Sequence, residues 1–147
     1  MSEFKRYLAA MMDRAVVEAG RDRSPTVEAQ HLLLAVLGDN AVEDLDQDTF
    51  RVALEREFEH SLSAAGVSAA AFDLAPATPD PDRSPNLGAS VQLALERGLK
   101  AAGRSAPRPV HLLIGILSAE VGTVPRALGQ AGVDRAELLG RVRASAA

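Results

Sequence analysis

The word HLLLAVL, beginning at His31, returns in the second half of the chain as HLLIGIL, beginning at His111. A nearly copied apolar word marks a repeated supersecondary unit, and it restricts the chain to folds built from two like parts. Each copy is apolar around most of its circumference, so a helix made from it belongs in the interior. The flanks extend the repetition. Phe4, Leu8, Met11, Met12, Ala15, Val16 and Ala19 recur at helical spacing before the first copy, and Gly20 closes the run. Leu87, Val91, Ala94, Leu95, Leu99 and Ala102 do the same before the second copy, with Gly103 as the stop. Ser24-Pro25 and Arg108-Pro109 place a proline where a first helical turn tolerates one.

The third helices differ in length. VGTVPRALGQAG in the second half predicts a short helix ending at Gly132. DLDQDTFRVALEREFEHSLSAAG in the first half predicts a far longer one, with Phe50, Leu54, Phe58, Leu62 and Ala65 as its stripe. A fourth short helix is expected after Gly66 (VSAAAFDLA) and after Gly132 (VDRAELLGRVRA). PATPDPDRSP between the halves reads as an extended connector. No alternating period-two run of useful length occurs. The expected fold is therefore all-α: eight helices in two pseudo-equivalent four-helix repeats packed as one domain. Residues 1–75 form the first repeat with an insertion over about 41–57, residues 76–85 the connector, and residues 86–147 the second repeat.

Composition agrees with close helix packing and excludes several functions. Hydrophobic residues make up 47% of the 147, but aromatics only 3%, so Ala, Leu and Val must fill the core. The net charge of −4, with scattered arginines, offers no basic face for nucleic acid or an anionic membrane. The chain has no cysteine, which removes disulfides and thiolate metal sites. The start, MSEFKRYLAAMM, is too briefly apolar for a signal peptide, and no run is long enough to span a bilayer. A cytoplasmic protein is expected.

Three histidines invite a metal or catalytic role. His31 and His111 stand at equivalent places near helix starts, which points instead to a structural ring hydrogen-bonded at a helix end. His60, between Glu59 and Ser61, is expected to be solvated. No nucleophile and base share a suggestive spacing, so no enzyme activity, metal or cofactor is expected. The acidic stretch Asp44–Glu55 has carboxylates at the first, third, fifth and twelfth positions of a calcium loop. Its sixth position, which needs glycine, is Thr49, and its eighth, normally apolar, is Arg51. The competing expectation is that Asp48 caps the long third helix. A calcium-responsive helical protein using residues 44–55 is the alternative function.

The succession of a helix, HLLLAVL and then a short helix ending ALGQAGVDRAELLGRV resembles the Clp N-terminal repeat domain. That domain precedes the ATPase rings of the ClpA, ClpB and ClpC unfoldases. The resemblance covers essentially the whole chain and is weakest over residues 41–57. It implies a non-catalytic binding module that engages the Clp unfoldase, its adaptors or its client peptides. In actinobacterial ClpC such domains are also targets of cyclic-peptide antibiotics, and the Arg- and Ala-rich composition suits a high-GC genome. No G-x-x-x-x-G-K-[ST] occurs, so a free-standing copy without a nucleotide loop is expected, acting as a regulator of the protease or as a decoy.

Two departures from the family pattern bear on ligands. Where the family places Thr-Glu before each histidine, this chain has Ala29-Gln30 and Pro109-Val110. In ClpC-type domains that glutamate pairs with the guanidinium of phosphoarginine. An amide and a valine cannot form the charge-assisted bond, so phosphoarginine reading is expected to be lost at Gln30 and Val110. The family's antibiotic groove runs between the first helices of the repeats and maps onto Ala9, Met12, Asp13 and Val16, with Gly88, Val91 and Gln92 opposite. The family's aromatic before the second repeat falls on Arg83, ahead of Ser84-Pro85, which weakens the case for tight antibiotic binding.

Overall fold

The computed structural model describes residues 2–66 and 86–147. Among them are seven helices: α1 (Glu3–Arg21), α2 (Ala29–Leu37), α3 (Gln47–Ala64), α4 (Ala89–Ala102), α5 (Pro109–Leu117), α6 (Thr123–Gln130) and α7 (Arg135–Ala146). The helix expected after Gly66, the connector and Arg83 lie outside the described residues.

The repeated word forms the two central helices. In α2 every residue except Gln30 is buried, and in α5 the whole run His111–Leu117 is buried. Leu32, Leu33, Val36, Leu112, Ile116 and Leu117 are at most 1% exposed. Each such side chain contributes about 1.5–3 kcal/mol of transfer free energy, so these two short helices are held by burial rather than by their own propensity. The outer helices wrap them in a pattern that echoes itself. Helix α1 lies on α2 as α4 lies on α5, while α3 packs on α6 and α7 on α5.

The contact between α4 and α5 is the tightest in backbone terms. A Cβ added at Gly98 would stand 2.7 Å from the His111 carbonyl oxygen. One added at Gly115 would stand 2.7 Å from the Gly98 nitrogen and overlap the Ala94 carbonyl. Only glycine permits that approach. In the first half the matching word places Ala35 where the second has Gly115, and its Cβ excludes so close a fit.

The stripes of the outer helices follow the expected spacing with local corrections. Met11, Ala15 and Ala19 of α1 are buried as expected, and so are Val91, Ala94 and Ala102 of α4. Leu87 and Leu99, expected on the same stripe, are about half exposed at 45% and 53%. In α3 the core-facing row is Phe50, Ala53 and Glu57 rather than Phe50, Leu54 and Phe58. A carboxylate takes the inner position because Arg126 of α6 meets it there, with Arg126 Nε donating to Glu57 Oε1 at 2.7 Å. Helix α3 has 18 residues and α6 only 8, in line with the expected difference.

Caps and strands also depart from expectation. The N-cap of α3 is Asp46, not Asp48: the helix starts earlier, and the Thr49 backbone N–H donates to Asp46 Oδ1 at 2.7 Å. That hydrogen bond, with one from the Thr49 side chain, holds the Asp46 carboxyl below its usual range. Pro109 is the first residue of α5, but Pro25 lies outside α2, which begins at Ala29. Between Pro25 and α2 the chain is extended, and Thr26–Val27 (β1) pairs in parallel with Asn86–Leu87 (β2) in the register Thr26↔Asn86, Val27↔Leu87. The Gly88 N–H donates to the Val27 carbonyl at 2.8 Å, continuing the ladder by one bond. Among the described residues the fold is thus helical with one two-residue parallel pair, which ties the halves at the starts of α2 and α4.

Candidate functional site

The two repeated words place their histidines identically. His31 and His111 are each the third residue of their helix. The backbone N–H of Glu28 donates to His31 Nδ1 at 2.9 Å, and that of Arg108 to His111 Nδ1 at 2.9 Å. Each ring therefore satisfies a backbone donor just before a helix, as the sequence suggests, and carries its proton on Nε2. His31 donates that proton to Asp22 Oδ2 at 2.8 Å. His60 is exposed on α3.

The start of α4 is built around Glu28. Its carboxylate accepts from Thr26 Oγ1 at 3.0 Å and from the Ser90 hydroxyl. Ser90 Oγ in turn accepts from the Ala29 N–H at 2.8 Å. A side chain at Gly88 would collide with the Glu28 carboxylate, so Gly88 is required by that close approach. A carboxylate at the first turn of α4 also meets the positive end of the helix dipole. Gln30, the second residue of α2, and Val110, the second residue of α5, are both half-buried.

Of the residues mapped to the seam between first helices, Ala9, Asp13 and Gln92 are exposed, and Met12 and Val16 are half-buried against the core. Gly88 and Val91 are buried, Val91 completely, so they lie beneath the surface and not on it. Helix α1 rests on α2 and α5, and α4 on α5 and α2, which leaves the seam floored by the central pair. Two ion pairs tie α1 to its neighbours. Arg51 of α3 grips the buried Glu18 of α1 with two nitrogens, at 2.5 and 3.3 Å. Arg14 pairs with Asp39 at 3.8 Å. Near them, Tyr7 is pushed up to about 12 by burial and the Asp39 charge, against a smaller opposing effect of Arg14.

The acidic stretch does not gather into a calcium loop. From Gln47 onward it is helix, so Asp48 and Glu55 ride on α3 while Asp44 and Asp46 precede it. Asp46 caps the helix, and Asp44 accepts from Arg141 Nη1 at 2.7 Å. Among the described residues no three His, Asp or Glu side chains come together in a way that could hold a metal ion. No described helix is long and apolar enough to cross a membrane.

With this arrangement in hand, the comparison with solved structures is decisive for the architecture. The chain superposes on the N-terminal domain of the caseinolytic protease associated chaperone ClpD from Arabidopsis thaliana with a TM-score of 0.64. The match covers 93% of this chain and 89% of that one. The fold is that of a Clp N-terminal domain. Sequence identity over the match is 17%, so the likeness concerns the fold. No protein-family model and no curated protein sequence matches the chain.

Sequence reasoning missed the partners that link the helices. Glu28 and Arg108 carry a local signal, since each stands three residues before a histidine that opens an apolar run. Asp22, Glu18, Arg51, Glu57 and Arg126 carry none. Their roles follow from how α1, α3 and α6 cross, and a hydropathy pattern does not encode crossing.

Proposed function

We propose that the protein is a non-catalytic binding module of the Clp system, engaging a Clp unfoldase, its adaptors or client peptides, or a cyclic-peptide ligand. The observation that carries this reading is the likeness to the ClpD N-terminal domain across 93% of the chain. The working surface is the seam bordered by Ala9, Met12, Asp13, Val16 and Gln92, with Gly88 and Val91 forming the layer beneath it. Met12 and Val16 offer partly covered apolar surface, and Asp13 and Gln92 supply polar edges, a composition suited to a short apolar peptide. The two halves act as pseudo-equivalent repeats, 1–75 and 86–147, joined by 76–85. Phosphoarginine reading is absent because Gln30 and Val110 bring no carboxylate to the guanidinium.

The test is a titration of the purified protein with the Clp unfoldase of its own host and with a cyclic peptide that binds ClpC-type domains. Met12→Glu places a charge on a half-buried position and should weaken binding at least about tenfold in a protein that still folds, with some loss of stability from the core contact of Met12. Binding of both partners unaltered by Met12→Glu sinks the seam as the working surface. A phosphoarginine peptide run alongside should bind weakly, and Gln30→Glu with Val110→Glu should strengthen it.

A further inference from the structure

The two capping histidines are alike on one side of the ring and different on the other. In the first half, His31 Nε2–H is met by the Asp22 carboxylate at 2.8 Å. Asp22 is the residue just after α1. Just after α4, at the matching place, stands Gly103, and Arg104 follows. His111 therefore has the same tautomer, imposed by the Arg108 N–H on Nδ1, but no acceptor for its Nε2–H among the described residues. The residue is only 5% exposed, yet no buried side-chain nitrogen or oxygen is left without a partner. Its N–H must open onto the adjoining cavity.

That cavity has a volume of about 430 Å³ and is lined by Ser105, Arg108, His111, Ile114, Arg143 and Ala146, among others. Its charged side chains are both arginines. Arg108 spends one nitrogen on the Ala146 carbonyl at 2.6 Å, and Arg143 is exposed. Neither forms an ion pair with a carboxylate among the described residues, although five other arginines do. One N–H and two guanidinium groups without a carboxylate partner surround this opening, with the Ser105 hydroxyl, the Ala146 carbonyl and Ala147 on its wall. The first half supplies its own answer to the same histidine, a carboxylate oxygen.

We propose that this cavity binds a small molecule bearing an oxyanion, a carboxylate or a phosphate group. One anionic oxygen accepts from His111 Nε2–H where Asp22 serves His31. Arg143 and the remaining nitrogens of Arg108 neutralise the charge, and Ser105 lies on the wall as a further donor. Guanidinium groups suit either anion because their paired N–H groups match two oxygens at once. The cavity volume lies within the range typical of small-molecule sites. It sits among α4, α5 and α7, away from Met12 and Val16, so its occupant need not compete with a partner at the seam.

The experiment is a titration of the intact protein with sodium phosphate and with sodium acetate, against sodium chloride at equal ionic strength, following the side-chain nitrogen resonances of the histidines. His111 should shift with phosphate or acetate, while His31, already bonded to Asp22, stays put. Tighter phosphate binding identifies a phosphorylated ligand, and tighter acetate binding a carboxylate. Arg143→Gln, at an exposed position, should weaken the anion at least about tenfold. The proposal is overturned if His111 is unmoved by both anions, if chloride moves it equally, or if Arg143→Gln binds the anion as tightly as the parent.

Discussion

Replacing Gly115 by alanine tests how far this fold depends on the approach of α4 to α5. The added Cβ would lie 2.7 Å from the Gly98 nitrogen, with the Ala94 carbonyl oxygen closer still, whereas ordinary contact begins at 3.4 Å. The obstruction is backbone on a helix, so no side chain can swing aside. The Ala94 oxygen, the nearest atom, sets the distance, so helix α4 must withdraw by more than about 1 Å, and a gap of that size forfeits about half or more of the dispersion attraction across it. Val91, Ala94 and Ala102 would all loosen together, since they reach the core from α4. Overpacking costs about 1–3 kcal/mol in general, and a backbone obstruction places this case at the upper end. Alanine's better helix propensity returns about 1 kcal/mol, leaving a net loss of about 2 kcal/mol. For a chain of this length that is a fall of about 4–8 °C in the thermal midpoint. Gly140 of α7 is the control, because its added Cβ would meet nothing within 4 Å. Gly140→Ala should stabilise by about 0.5–1 kcal/mol. Urea unfolding followed by helical circular dichroism gives both values from shifts in midpoint at constant slope. A Gly115→Ala protein as stable as the parent, or one matching Gly140→Ala, refutes the argument from close approach.

Burial pushes the Glu57 carboxyl up, but hydrogen bonds from Ser61 and Arg126 outweigh it and hold the group below its ordinary value of 4.5. A depressed folded-state value stabilises the protein above the unfolded value, so this contribution should be full above about pH 4.5 and lost as pH falls below it; Arg126→Met should raise the Glu57 titration midpoint, and an unchanged midpoint counts against the cross-half ion pair. Tyr7 is the single tyrosine in a chain without tryptophan, so its tyrosinate absorbance can be read directly. Its midpoint should lie near 12 rather than 10.0 in the folded protein and return toward 10.0 in denaturant; a folded-state midpoint of 10.0 contradicts its burial beside Asp39.

Much of the candidate site was legible only in outline. The capping role of His31 and His111 could be read from their place before two apolar runs, because a helix start always leaves backbone N–H groups to satisfy. The difference between them could not. It depends on Asp22 folding back over nine residues to reach His31, and on α7 arriving beside His111 to close a cavity. Val91 and Met12 read alike as stripe residues, yet one is fully buried and the other only half, since the neighbours of α4 and α1 differ. On α3, spacing favoured Leu54 and Phe58 on the inner row. Arg126 on a helix of the other half rotated the choice to Ala53 and Glu57.

What the sequence determined by itself is the helical class, the doubling and the identity of the two central helices. Period and repetition are local properties, and a stretch apolar on most sides has only the interior to go to. Tertiary structure alone decided the parallel pair at Thr26–Val27 and Asn86–Leu87, the Glu28–Ser90 junction and the backbone contact through Gly98 and Gly115. Each joins residues far apart in the chain. Their pairing depends on distances that exist only after the halves have packed, when a two-residue strand gains its partner and a glycine its reason.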